Sequence, residues 1–145
     1  MVLAIAGGVV WTQVVENGSK RVAWEDVTAQ MPGALWPKAV ARSFWKEEQL
    51  VRFLDRTFPE GAPRAPRFDF DRRRLILVSA GPRSSTGYTV RIVRITERRS
   101  TVDVLAKEVT PALDHPGVAR LTSPYRLITI PATSKRVYVQ WQGRP

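Results

Sequence analysis

The sequence predicts a mainly β protein with α+β content: an antiparallel β-sandwich or barrel, the immunoglobulin-like type among the candidates, with one helix and an N-terminal hairpin. Five segments after residue 72 are rich in β-branched and aromatic residues and are bounded by turn residues. Only one segment has apolar residues at helical spacing. The connections between the β segments are short, which is typical of antiparallel sheets.

Before the helix the sequence predicts only short secondary-structure elements. Asn17 and Gly18 both tolerate positive φ and form a strong turn signal, so a hairpin is expected within residues 11–24. Residues 28–38 contain two prolines and a glycine and predict a loop. A brief strand is expected over Ala39–Trp45.

Residues 1–11 are apolar and carry no basic residue. Two interpretations stay open: an N-terminal strand, or the remnant of a signal peptide or anchor. The run is too short to cross a bilayer, so no transmembrane span is predicted.

The helix prediction covers Lys46–Phe58. One face of this segment is apolar, formed by Leu50, Phe53, Leu54 and Phe58. Two glutamates occupy the first turn, where the helix dipole favours them, and Pro59 ends the helix. We predict a single domain over residues 1–145, in which N-terminal strands and the helix (1–58) precede a proline-rich connector (59–66) and a C-terminal β unit (67–145).

The C-terminal unit predicts five strands: Arg74–Ala80, Tyr88–Thr96, Thr101–Lys107, Tyr125–Pro131 and Arg136–Gln142. The third and the fifth alternate cleanly between apolar and polar residues, as half-buried strands do. In the second, Val90 and Ile92 share a face, yet Val93 and Ile95 are also apolar. This phase slip indicates a β-bulge or burial on both faces.

The loop Gly81–Tyr88 is the first candidate for a binding site. Glycines at both ends allow positive φ, and three consecutive hydroxyl residues can bond their own backbone or a partner. A second segment, Ser123–Tyr125, opens the fourth strand. The predicted binding residues are Arg83, Ser84, Ser85, Thr86, Gly87, Tyr88, Pro124 and Tyr125. Two interpretations stay open for the loop: an exposed recognition tip, or a well-built turn followed by a core tyrosine.

The charge is strongly basic and unevenly placed. The net charge is +10 with a pI near 11.0, and residues 1–60 balance acid and base, so the excess lies in residues 61–145. Such a surface favours acidic proteins, nucleic acid or anionic lipid, although genomic arginine bias would also produce it. An alternative function is therefore nucleic-acid or anionic-surface binding through arginines 72, 73, 74, 91, 94, 98 and 99. The chain contains no recognised nucleic-acid motif.

Candidate catalytic residues are scarce. The chain has no cysteine and one histidine, His115, which leaves little material for thiolate, metal or Ser-His-Asp chemistry. Asp69 and Asp71 stand beside three arginines, a pattern more typical of salt bridges than of acid–base catalysis. The Gly81–Tyr88 loop lacks the Gly-Lys-Ser/Thr ending of a phosphate loop and leads into a strand. We predict a non-enzyme without a cofactor.

The order of these motifs resembles the C-terminal domain family of the protease-complex subunit PrcB, over roughly residues 43–142. The residues that carry the resemblance are Lys46–Phe58, Asp69–Asp71, Leu75–Ser79, Gly81–Tyr88, Val90–Ile95 and Pro124–Ile128. One departure is the single glycine before Tyr88, where the family pattern has two. The resemblance implies a non-catalytic, extracytoplasmic accessory domain that contacts a protease or another protein.

The same loop is similar to the Thr-Thr-Gly-Phe/Tyr loop of chagasin-type cysteine-protease inhibitors. Ser85–Tyr88 matches their first loop, and Pro124 with Tyr125 loosely matches their third. The middle loop, expected within Thr110–Leu121, has one glycine where that family is glycine-rich. The function expected from residues and resemblance together is a protein-binding accessory domain with a protease as the candidate partner.

Overall fold

A computed structural model describes residues 18–143 of the chain. Its one α-helix, α1, spans Glu47–Thr57, and a 3-10 turn covers Thr28–Gln30. The strands are β1 (Lys20–Arg21), β2 (Glu25–Asp26), β3 (Val40–Phe44), β4 (Arg73–Ser79), β5 (Arg83–Ser85), β6 (Thr89–Glu97), β7 (Thr101–Val109), β8 (Ala119–Thr122), β9 (Tyr125–Pro131) and β10 (Arg136–Trp141). No helix within the described range has the length and apolarity needed to cross a membrane.

Two four-stranded sheets build the sandwich, with strand orders β1-β6-β7-β10 and β2-β9-β4-β3. The predicted β-sandwich is confirmed, and residues 18–143 form no closed barrel. One pairing departs from the antiparallel prediction, because β10 runs parallel to β7. The chain leaves β7, passes through β9 in the other sheet and then returns, and such a crossover is what parallel neighbours require.

The predicted N-terminal hairpin is only partly within the described residues. Residues 1–17, which include the segment predicted as its first strand and the segment open to two interpretations, lie outside them. The segment predicted as its second strand contains β1, which pairs antiparallel with β6, with Lys20 opposite Glu97. The hairpin itself stays a prediction.

The β4 strand lies in the middle layer of the protein, which explains its uninterrupted apolar sequence. Ile76 and Val78 pack against the β6–β7 sheet, while Leu75 and Leu77 pack against the helix layer on the opposite face. All four side chains are fully buried. A strand covered on both faces loses the polar alternation of a half-buried strand.

The helix layer is held to the sheet by apolar and aromatic contacts. Leu50 and Leu54 of α1 are buried, and the indole of Trp36 lies at its centre. The ring of Trp36 contacts that of Phe58 at 5.1 Å and that of Tyr125 at 5.8 Å between centroids. Residues from both sides of the proline-rich connector thus share one core, and the division of the chain at 59–66 stays a prediction.

The phase slip in β6 is a β-bulge, which was one of the two predicted explanations. The β6–β7 register shifts between Ile92 and Arg94, so that Val93 is the extra residue. The shift returns Ile95 to the core beside Ile92, and it places Arg94 on the outer face with Arg91.

Candidate functional site

The predicted binding loop is part of a small arm formed with a distant segment. Residues 83–85, expected to be loop, form β5, which pairs antiparallel with β8: Arg83 lies opposite Thr122 and Ser85 opposite Ala119. The register shifts between these two pairs, because two steps along β5 face three steps along β8, and the intervening Ser84 is exposed. We call residues 81–88 together with 110–122 the β5–β8 arm.

The hydroxyls of Ser85 and Thr86 connect the two halves of this arm. The Ser85 hydroxyl donates to the carbonyl of Pro116 and accepts from the backbone N–H of Gly87 at 3.1 Å. The Thr86 hydroxyl accepts from the N–H of Val118 at 2.8 Å, and the Thr86 N–H donates to the Val118 carbonyl at 3.0 Å. Both side chains therefore shape the arm, and their contact with a partner stays a prediction.

Two glycines let the halves of the arm approach closely. A Cβ on Gly117 would lie 2.5 Å from the nitrogen of Gly87 and 2.9 Å from the Ser85 hydroxyl, and Gly117 has a φ of 77°. Gly87 does not adopt the positive φ that the sequence suggested, whereas Gly81 does, at 80°. Gly87 is needed for space instead, because a Cβ there would lie 2.5 Å from the Cβ of Pro111.

An ion pair anchors the base of the arm to the sandwich. The Arg83 Nε lies 2.7 Å from an oxygen of Glu108 on β7, and the two side chains are 20% and 7% exposed. The Arg83 guanidinium also donates to the Pro82 carbonyl at 2.8 Å and lies 5.9 Å from the ring centroid of Tyr88. Tyr88 is half-buried. Its burial is therefore intermediate between the two predicted roles, an exposed binding residue and a core tyrosine.

The second predicted segment lies beside the first. The Pro124 carbonyl accepts hydrogen bonds from the Ala80 N–H at 3.1 Å and from the Ser79 hydroxyl at 3.3 Å, where the chain enters the arm. Tyr125 is half-buried, and its hydroxyl donates to the carbonyl of Met31. Burial raises the pKa of Tyr125. The structure thus brings both predicted segments to one end of the protein, with Tyr125 tied to the core.

The arm also presents apolar side chains that the sequence reasoning did not select. Leu113 is fully exposed, and Val118 and Leu121 are 65% and 63% exposed. Residues 119–121 of β8 are exposed on both faces of its two-stranded sheet. The signal in the sequence was weak, because isolated apolar residues among turn-forming residues show neither the helical period of about 3.6 residues nor the strand period of about 2.

The arginines of the alternative hypothesis do not form one surface. Arg74 is 5% exposed, its Cζ lies 3.6 Å from the ring centroid of Trp45, and its Nη2 donates to the Thr133 carbonyl. Arg73 donates to the carbonyl of Thr129 at 3.2 Å. The prediction that the 72–74 run forms a basic surface is therefore wrong for Arg74, whose strand position turns it into the protein. Burial lowers the pKa of Arg74.

The acidic and histidine candidates are in turns. The Asp69 carboxylate accepts from the N–H of Asp71 at 3.0 Å and lies 3.6 Å from the Arg72 Nε, so the expected salt bridge is present for Asp69. His115 and Asp114 lie 3.2 Å apart on an exposed turn. Within residues 18–143 no group of three His, Cys, Asp or Glu side chains is arranged to hold a metal ion.

Residues 74–131 match the family model described as PrcB C-terminal. The match runs from β4 to the end of β9, so it contains the whole β5–β8 arm and both predicted binding segments. The suspected resemblance to this family is confirmed over that segment. The comparisons with curated proteins and with solved structures found no match, and the looser likeness to chagasin-type inhibitors stays a prediction.

Proposed function

We propose, from the match of residues 74–131 to the PrcB C-terminal family, that this chain is a non-catalytic accessory domain that binds a protein, with a protease or a protease-complex subunit as the partner. The binding element in this proposal is the β5–β8 arm. The observation that carries it is the combination of a hydrogen-bonded, tightly packed arm with apolar side chains left exposed at Leu113, Val118 and Leu121.

Preorganisation of the arm supports the proposal. A flexible loop loses conformational entropy when it binds, and this loss weakens the association. A loop that is already ordered loses little conformational entropy on binding. The arm is ordered by hydroxyl–backbone hydrogen bonds and by close packing around Gly117, rather than by burial of its own side chains. Its apolar side chains thus remain available to a partner.

The exposed apolar side chains supply the binding free energy in this proposal. Burial of a Leu or Val side chain contributes about 1.5–3 kcal/mol, and a few such residues usually dominate an interface. The predicted residues take different roles: Ser85, Thr86 and Gly87 shape the arm, and Arg83 anchors it. Ser84 and Tyr88 flank the contact.

The experiment compares capture by wild type and by arm variants. The purified chain is incubated with secreted and envelope proteins of the source organism, and the captured proteins are identified, purified and bound again in isolation. Leu113→Ser with Val118→Ser should weaken this isolated binding by at least about tenfold, because two apolar contacts are lost. The captured protease is then assayed for activity and half-life with and without the chain.

Val51→Ser is the matched control, since Val51 is an exposed valine of α1 outside the arm. It should leave binding unchanged. Equal binding by wild type and the arm double variant would refute the role of the arm. Capture of nucleic acid alone, or hydrolysis of a protein substrate by the isolated chain, would refute the accessory-domain proposal itself.

A further inference from the structure

The outer face of the β6–β7 sheet is basic. The pairing of β6 with β7 places Arg91 opposite Lys107 and Arg94 opposite Leu105, and all three cationic side chains are exposed. The neighbouring strands add exposed cations at their ends, Arg21 on β1 and Arg136 on β10. We call these five residues the basic face.

Carboxylates do not neutralise the centre of this face. Within residues 18–143 no Asp or Glu oxygen lies within ion-pair distance of Arg91, Arg94 or Lys107. Asp103, which faces outward on β7, is already bound by Arg98 at 2.8 Å. The face therefore has donors and charge to offer a ligand.

The Arg91–Lys107 pair is unfavourable for the fold itself. Like charges directly opposite each other across two strands destabilise a sheet, where an opposite-charge pair would stabilise it. The bulge at Val93 adds Arg94 to the same face instead of turning it away. Concentrated charge that opposes folding is typical of a site that serves binding.

The chemistry of the face favours carboxylates over the other anions. Bases of single-stranded nucleic acid need several aromatic platforms, whereas among the described strands of this sheet the outward aromatic side chain is that of Tyr138 on β10. Anionic membranes are bound most strongly when cations flank large inserted apolar side chains. On β6 and β7 the outward apolar residues are the half-buried Leu105 and two valines, Val93 and Val109, which are 39% and 38% exposed and short. Guanidinium forks match carboxylates and phosphates alike, but binding to an acidic polypeptide needs neither aromatic platforms nor deeply inserted side chains.

The spacing of the cations suits an extended chain. Arg94 and Arg91 lie opposite Leu105 and Lys107, which are alternate residues of β7. Alternate residues of a strand lie about 7 Å apart. Carboxylates on alternate residues of an extended segment have the same spacing.

We propose that the basic face binds an acidic polypeptide segment in extended conformation, with Arg91, Arg94 and Lys107 pairing its carboxylates. This site shares no residue with the β5–β8 arm and does not depend on the function proposed for it. Electrostatic pairing of this kind speeds association and selects the partner more than it adds affinity, so its salt dependence is steep.

The test uses a peptide of about 12 alternating Glu and Thr residues, long enough to follow a strand the length of β6. Binding to wild type is followed by fluorescence anisotropy at low and moderate salt. Arg91→Gln/Arg94→Gln/Lys107→Gln should weaken it at least about tenfold. Arg52→Gln/Arg56→Gln/Arg64→Gln removes the same charge at exposed positions elsewhere and should change binding less than about threefold.

Equal losses in the two triple variants, or no peptide binding by wild type, would overturn the proposal. So would tighter binding of a thymidine oligonucleotide of equal charge, or binding to phosphatidylglycerol vesicles without binding to the peptide. Lys107→Glu adds a sharper test, because it replaces a repulsive pair with an attractive one. It should raise Tm by about 2–4 °C while peptide binding is lost. An unchanged or lower Tm, or retained peptide binding, would contradict the argument.

Discussion

Gly117→Ala tests whether the β5–β8 arm is held by close approach of its two halves. The substitution has two costs. The left-handed backbone costs about 1–2 kcal/mol for alanine. The added Cβ also lies 2.5 Å from the Gly87 nitrogen, with both loop hydroxyls at 2.9 Å, so the halves must separate.

Separation breaks the pair of hydrogen bonds between Thr86 and Val118, at 3.0 and 2.8 Å. Each contributes about 0.5–1.5 kcal/mol. The free energy of unfolding should therefore fall by about 2–5 kcal/mol if the arm unfolds with the sandwich. If the arm opens by itself, the loss appears first as faster hydrogen exchange of the Thr86 and Val118 amides.

Gly33→Ala is the matched control. Gly33 has a φ of 74°, close to that of Gly117, but a Cβ there would have no atom within 4 Å. Gly33→Ala should lower the free energy of unfolding only by the cost of placing alanine in left-handed backbone, about 1–2 kcal/mol. Urea unfolding of both variants measures their free energies of unfolding, and amide hydrogen exchange measures the local opening of the arm. Equal destabilisation by the two substitutions, with the Thr86 and Val118 amides still protected in Gly117→Ala, would refute the close-approach argument.

Three further predictions concern buried polar groups. Glu108→Gln should cost about 2–3 kcal/mol, because it leaves the largely buried Arg83 guanidinium without its carboxylate; a double-mutant cycle with Arg83→Gln in urea unfolding measures the coupling, and additive effects would contradict it. Arg74→Met should leave stability within about 1 kcal/mol or raise it, since the Nε and Nη1 of Arg74 are buried without hydrogen-bond partners; a loss above about 3 kcal/mol would show that the charge is needed. Burial raises the pKa of Tyr125 above its ordinary value near 10, so its stabilising contribution is complete below pH 10 and is lost as the pH rises through the folded-state pKa. Tyr125→Phe should remove the part of the alkaline stability loss that comes from Tyr125. Identical profiles of unfolding free energy against pH for wild type and variant would contradict this contribution.

Much of the sandwich was predictable from local chemistry. The alternation in β7 and β10, the apolar face of α1 and its end before Pro59 are all set within a few residues, and the observed bounds follow them closely. The bulge in β6 was also visible, because the apolar period breaks at Val93. These features depend on side-chain periodicity and backbone preference, which each segment carries by itself.

The candidate site was predictable only as a location. The sequence pointed to Ser85 and Thr86 from their hydroxyls and neighbouring glycines, yet the Pro116 carbonyl and the Val118 N–H that they bond are 31 and 32 residues away along the chain. The exposed apolar residues of the arm showed no period that would distinguish them from loop residues.

By itself the sequence determined the five long C-terminal strands, the helix, the basic excess and the order of motifs that matches the PrcB C-terminal family over residues 74–131. Tertiary structure alone decided that β5 pairs with β8, that β10 lies parallel to β7, that Arg74 is buried, and that Arg91 faces Lys107. The physical reason is the range of the interactions. Periodicity, turn chemistry and net charge belong to neighbouring residues or to composition, whereas strand partners and the side chains that meet across a sheet depend on which distant segments the common core brings together.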